Sequence, residues 1–244
     1  MAGTAVHRRL TWRLATVIAN TGETPGARRL SLHIDGWEGH LPGQHIDARL
    51  TAEDGYQAQR SYSIASAPES DTVDLVVERV EDGEVSPYLA DALAAGDELE
   101  FRGPIGGFFV WHSALGGPLQ LIAGGSGVAP FLAMLDHHAA SGSQVPVRLL
   151  HSARTIDDVI ARERLERHAG RGVGVAIALT RAPPPGWTGL TGRLTRDVLR
   201  HRVWPMAERP SVLVCGPTAF VEFVVDSLVE VGHPADRIKT ERFG

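Results

Sequence analysis

At 244 residues, with 43% hydrophobic and 22% charged side chains, the chain has a globular composition and the length of one large domain or two ordinary ones. No apolar run reaches the roughly 18–20 residues of a membrane span, and the single cysteine, Cys215, excludes an internal disulfide and any four-thiolate cluster within the chain. The formal charge of −5 is uneven: positions 1–113 carry nine basic and seventeen acidic side chains, positions 114–244 fifteen and twelve. That asymmetry fits either a different partner for each half or simple drift in surface charge. No basic cluster is interleaved with aromatics, so nucleic acid is not an expected partner.

The N-terminus carries charge at His7-Arg8-Arg9, with no apolar stretch or cleavage site behind it. The expectation is no signal peptide, no membrane and a cytoplasmic location. From 11 to 101 the pattern is short and strand-like. Candidate strands cover 11–19, 29–34, 44–50, 60–66, 73–80 and 97–101, separated by turn signals such as Pro25-Gly26, Pro42-Gly43 and Asp54-Gly55. Six strands at this spacing read as an antiparallel six-stranded β-barrel. One helix is expected over 86–95, stopped by Gly96.

After Gly116-Gly117-Pro118 the period changes. Strands at 119–123, 147–151, 173–180, 212–215 and 238–240 alternate with helices running to about 138, over 156–168 and over 219–231. That alternation predicts right-handed crossovers and an α/β domain with a five-stranded parallel sheet. The proline-rich stretch 181–192 reads as a loop. The boundary falls near 113–117, giving a 1–113 barrel domain and a 114–244 α/β domain. Histidines are scattered, and adjacent His137-His138 on a helix point in different directions, so no metal site is expected.

Three strings carry the chemistry. Arg60-Ser61-Tyr62-Ser63 lies on a predicted strand, so Arg60 and Tyr62 share a face. A guanidinium for phosphate and an aromatic plane for a flavin ring then project together, although an ordinary half-exposed strand reads the same way. Gly124-Gly125-Ser126-Gly127-Val128-Ala129-Pro130 follows a strand and opens a helix, where glycines admit a ligand and the helix start favours pyrophosphate. It departs from the G-x-G-x-x-G pattern at Ala129-Pro130. Cys215-Gly216-Pro217 ends a strand, where open α/β sheets place ligands; a buried core cysteine is the plain alternative. Two lesser strings are Gly83-Glu84-Val85-Ser86-Pro87-Tyr88-Leu89, with Ser86 as N-cap and Pro87 as first helical residue, and Gly103-Pro104-Ile105-Gly106-Gly107-Phe108-Phe109, a tight turn or hinge.

In this order the strings resemble the ferredoxin–NADP reductase superfamily over nearly the whole chain. RSYSIAS is similar to its R-x-Y-S motif, GEVSPYL to its G-x-x-S-x-x-L motif, GPIGGFF to its G-P-x-G-x-F turn and GGSGVAP to its G-G-x-G-x-x-P motif. The resemblance implies a flavin- and NAD(P)-binding oxidoreductase in stand-alone form, without an iron–sulfur domain. It implies FAD rather than FMN, held by Arg60, Ser61, Tyr62, Ser63, Gly83, Val85 and Ser86. It further implies a nicotinamide nucleotide at Gly125, Gly127, Pro130, Gly216 and Pro217. Cys215 would lie beside the nicotinamide without acting as a nucleophile. Ser63 and Glu241 would complete the catalytic set, and Phe243 would lie against the flavin. Ser152, Arg154, Arg181 and Arg193 match the positions of NADP-selective members, so NADPH is expected over NADH. Asp157 and Asp158 are read instead as helix-start acids. The implied acceptor is a ferredoxin or a two-component oxygenase. A free-flavin or ferric reductase and a flavin-binding regulatory subunit remain open.

Overall fold

The computed structural model describes residues 10–243. His7-Arg8-Arg9, on which the signal-peptide reading rests, and the terminal Gly244 lie outside the described residues. Six strands build the first sheet: β1 (Arg13–Thr24), β2 (Ala27–His33), β3 (His45–Thr51), β4 (Gln57–Ser63), β5 (Val73–Glu78) and β6 (Glu98–Ile105). All pairings are antiparallel, in the order β4-β3-β6-β1-β2-β5. Just beyond β4, Ile64 bridges to Leu75 and the Ala65 N–H donates to the Asp74 carbonyl at 2.7 Å, which closes the barrel. Pro25-Gly26 turns β1 into β2, with Thr24 opposite Ala27. The barrel is filled by alternate residues such as Leu30 and Leu32, Ile46 and Ala48, Leu99 and Phe101.

The helix expected over 86–95 is shorter. A single π-type turn, Tyr88–Ala92, closes with the Leu93 N–H on the Tyr88 carbonyl, and Leu93 is already extended. Ser86 does not cap it. Its hydroxyl accepts from the Val80 N–H at 3.0 Å, which ties the turn back to the end of β5, and Pro87 stands at the N-cap.

The second sheet holds β7 (Leu119–Gly124), β8 (Val147–Ala153), β9 (Gly174–Leu179), β10 (Leu190–Thr191), β11 (Ser211–Pro217) and β12 (Ile238–Phe243). All are parallel, in the order β10-β9-β8-β7-β11-β12. The helices are α1 (Ala129–Ala140), α2 (Arg162–Ala169), α3 (Arg196–Arg202) and α4 (Thr218–Glu230). The sheet therefore has six strands, not five. The sixth is two residues long, pairs Leu190 with Ala178, and was hidden in the stretch read as a loop. α3 was not foreseen either; Thr195 caps it, accepting from the Val198 N–H at 3.2 Å. The helix expected over 156–168 breaks in two. Thr155 and Asp158 cap a single turn over Ile156–Asp158, and Ala161, at φ 54°, resets the chain before α2.

Ala27, Ala65 and Val76 of the barrel pack into the same core as Phe131, Leu121 and Cys215, so the two sheets share apolar surface. Among the described residues no helix is long and apolar enough to cross a membrane, and no group of three His, Cys, Asp or Glu is placed to hold a metal.

Candidate active site: the cleft between barrel and parallel sheet

A cleft of about 520 Å³ opens where the ends of β4 and β5 face the C-terminal ends of β7, β11 and β12. Ligand sites commonly enclose roughly 300–1,000 Å³. The barrel contributes Arg60, Ser61, Tyr62, Ser63, Gly83, Val85 and Ser86; the α/β half contributes Ser126, Cys215, Glu241 and Phe243. Ser63 and Glu241, 178 positions apart in sequence, thus meet where the two sheets face each other.

Strand alternation places Tyr62 partly inside the barrel core, where burial pushes its phenol up to about 12 against the pull of Arg60, so it stays neutral. Arg60 lies more exposed on the same face, 3.4 Å from Glu84, which also accepts from the Tyr56 hydroxyl at 2.6 Å. Ser61 turns its hydroxyl to Asp47 at 2.6 Å. Burial alone would raise the Asp47 carboxyl, but hydrogen bonds from Ser61 and Arg102 outweigh it and hold the group below its ordinary range. Gly83 sits tightly packed: a Cβ there would lie 3.1 Å from the Ser86 hydroxyl and from the Val80 carbonyl. Val85 is buried in the barrel core.

β12 pairs Glu241 with Cys215 and Phe243 with Pro217, so the terminal string is a strand rather than a frayed tail. Glu241 reaches the barrel. Its Oε2 accepts from the Ser63 hydroxyl at 3.2 Å and its Oε1 lies 3.7 Å from His45 Nδ1. Burial raises the Glu241 carboxyl, and the Ser63 bond only partly opposes this. Burial lowers His45, with Asp47 pulling the other way. Cys215 is 1% exposed; burial, with the Glu241 charge behind it, raises its thiol well above the usual range. It is a neutral thiol, not a nucleophilic thiolate.

The glycine-rich turn is held by contacts that glycine alone permits. A Cβ on Gly127 would lie 2.3 Å from the Cys215 carbonyl oxygen, and one on Gly216 would lie 2.8 Å from the Phe220 ring. Gly125, at φ 54°, starts a short 3-10 turn that runs into α1, with Pro130 in its first turn. From beneath, fully buried His151 faces the Gly125 carbonyl with Nε2 at 3.2 Å. Burial depresses His151 to about 4, so it is neutral and Nε2 is the donor.

Ser152 pairs with Gly124 one residue before the end of β8, and Arg154 follows directly after the strand. The Arg181 N–H bonds the Arg154 carbonyl at 2.9 Å, and the Gly192 N–H bonds the Leu179 carbonyl at 2.8 Å, which brings Arg193 to the same edge. Arg154, Arg181 and Arg193 are exposed and have no side-chain partner among the described residues. Asp158 is spent on its capping box with Thr155. Glu84 stood inside the Gly83–Leu89 string without a role, while His45, Glu78 and His151 are the site residues that motif reading missed. No local signal marks them, since each meets the site from a neighbouring strand or turn.

Two domain families match this layout in order: the oxidoreductase FAD-binding domain over residues 15–110 and the oxidoreductase NAD-binding domain over 121–226. The chain is 33% identical, over 83% of its length, to the glycine betaine monooxygenase reductase subunit of Chromohalobacter salexigens, of which it covers 56%. It is 31% identical, over 78% of its length, to NADH-cytochrome b5 reductase 1 of Kluyveromyces lactis, of which it covers 69%. Among solved structures, the Amycolatopsis cytochrome P450 reductase GcoB matches with a TM-score of 0.83 at 30% identity, over 98% of this chain and 73% of that one. The chain spans little more than half the length of the monooxygenase reductase subunit. Two family matches in tandem, on a barrel and a parallel sheet that share one cleft, place the chain in the ferredoxin–NADP reductase superfamily of FAD- and NAD(P)-binding oxidoreductases.

Proposed function

We propose that the chain is an FAD-dependent reductase that takes hydride from NADPH and passes electrons to a separate electron-carrier protein, such as a ferredoxin or the terminal component of an oxygenase. The observation that carries this reading is the cleft itself, where Tyr62 and Ser63 from the barrel face Cys215, Glu241 and Phe243 from the sheet. The flavin-binding unit is 1–113 and the nicotinamide-binding unit 114–244. We place the work in the cytoplasm, where reduced nicotinamide is supplied, without nucleic acid or membrane as a partner.

A flavin held here would supply the chemistry that links a two-electron nicotinamide donor to a one-electron acceptor. The chain supplies binding, orientation and protons. Arg60, with the Gly83–Ser86 turn, would hold phosphate; its guanidinium lies at the mouth, 3.4 Å from Glu84. Tyr62 gives the isoalloxazine an aromatic plane backed by core. Ser63 and Glu241, already hydrogen-bonded, can hold a proton at the cleft wall, with His45 Nδ1 3.7 Å from the carboxylate. Gly125, Gly127 and Pro130 shape the nucleotide's turn. Cys215, Gly216 and Pro217 hold the nicotinamide in place as a packed surface, and hydride transfer depends on that placement.

The preference for NADPH rests on three unpaired arginines converging on one sheet edge. A 2′-phosphate carries roughly two charges and selects arginine forks. Ser152 adds a hydroxyl. The yeast relative is named for NADH, so the cofactor is the point to test. Steady-state kinetics should give a higher kcat/KM for NADPH. Arg154→Ala and Arg181→Ala should each raise KM for NADPH roughly tenfold, the loss of one charge-assisted contact, with NADH nearly untouched. A wild type that favours NADH overturns the cofactor assignment alone. Comparing isolated ferredoxins with ferric chelates and free flavin tests the acceptor; faster reduction of the small acceptors sinks the protein-partner reading.

A further inference from the structure

Glu78 is the last residue of β5 and enters the cleft from the barrel side. Its Oε2 accepts a hydrogen bond from the Ser126 hydroxyl at 2.6 Å, across 48 positions of sequence. Ser126 lies in the turn Gly125–Val128 that leads directly into α1. The same oxygen lies 3.8 Å from where a Cβ on Gly125 would stand, so the carboxylate hangs over the Gly125-Ser126 segment. The first N–H groups of a helix lack intrahelical acceptors and favour an anion. Here Glu78 offers a carboxylate at the Ser126 hydroxyl, in the 3-10 turn that precedes α1.

Glu78 has no ion pair among the described residues, while the nearby cleft arginines are engaged elsewhere, Arg60 by Glu84 and Arg242 by Glu222. The side chain is exposed, so the Ser126 bond is open to competition from a ligand in the cleft. We propose that Glu78 sets the affinity for the nicotinamide nucleotide, its carboxylate competing with the pyrophosphate for Ser126 and the start of α1. This rests on the nicotinamide reading above. A nucleotide that enters displaces Glu78, and in doing so releases one of the bonds joining the barrel to the sheet.

The test is calorimetric titration of NAD+ and, separately, NADP+ into the flavin-loaded wild type, Glu78→Gln and Glu78→Ala. Glu78→Gln keeps an acceptor for Ser126 and removes the charge; Glu78→Ala removes both. Both variants should bind both nucleotides on the order of three- to tenfold more tightly at low salt, as loss of a like charge in a wet cleft gives. The gain should shrink as salt is raised. It should be equal for the two nucleotides, because they share the pyrophosphate and differ only at the 2′ position. Affinity unchanged or weakened in Glu78→Gln overturns the assignment, while wild-type binding leaves the nicotinamide reading standing. A wild type that binds neither nucleotide sinks that reading and takes this inference with it.

Discussion

Cys215 lines the cleft, and burial and the Glu241 charge keep its thiol protonated. In the proposed reaction it acts by shape. Cys215→Ser should lower the limiting rate of flavin reduction roughly tenfold through misplacement, with a smaller effect on nucleotide affinity, as read by stopped-flow absorbance. An unchanged limiting rate would make Cys215 a packing residue only. His151 gives a second expectation at this scale. Its folded value of about 4 lies below the ordinary 6.5. Below pH 6.5 the unfolded chain takes up a proton that the folded chain refuses until about pH 4. Stability is therefore lost as pH falls through that window, by up to about 3 kcal/mol. His151→Gln, which keeps a donor for the Gly125 carbonyl, should flatten this part of a urea-denaturation profile against pH.

The strand ends and the turns that follow them make the site. The glycine-rich turn reads as a place for a ligand to approach, and the structure adds a second demand on it. Gly127 lets the turn press against the carbonyl at the end of β11, and Gly124 and Gly216 leave room for the Phe220 ring. Gly127→Ala would put a methyl 2.3 Å from the Cys215 carbonyl, where no flexible side chain can yield. It should destabilise the protein by about 1–3 kcal/mol, the usual cost of overpacking, and weaken nucleotide binding as well. Thermal unfolding and titration read the two effects separately. Wild-type stability in this variant would show that the turn has slack. β12 acts at the same scale: its pairing with β11 carries Glu241 to Ser63 and Phe243 to the cleft wall.

At the scale of the molecule, the barrel and sheet are joined by polar contacts around a shared apolar core. Asp136 of α1 accepts from Arg164 at 2.6 Å and from His168 at 2.7 Å, and Arg164 also donates to the Ala65 carbonyl of the barrel at 2.8 Å. His137 meets Glu69 at 2.6 Å along the same seam. Burial alone would raise Asp136, but the His168 bond and the Arg164 charge outweigh it and hold the carboxyl low. A depressed carboxyl contributes stability above its unfolded value and loses it as pH falls through the folded one. Asp136 is 36% exposed, so its contribution is discounted for solvent screening. Asp136→Asn should cost about 1–2 kcal/mol at pH 7, and urea denaturation should show the gap from wild type closing below about pH 4.

The sequence by itself determined the architecture. Strand alternation, turn residues and the change of period after Gly117 are local signals, and they were enough for a six-stranded barrel followed by a parallel α/β sheet. They also placed Arg60 and Tyr62 on one face and the glycine-rich turn at a helix start. They failed where tertiary contact overrides local preference. The two-residue β10 exists only because β9 offers an edge, and Ala161 breaks a helical pattern where its N–H meets Glu23 of the barrel at 3.1 Å. Ser63 and Glu241 bond across 178 positions, and Ser126 reaches Glu78 across 48. Only the closing of two sheets onto one cleft decides such pairs, because hydrogen bonding and burial depend on what stands opposite a side chain and not on what precedes it in the chain.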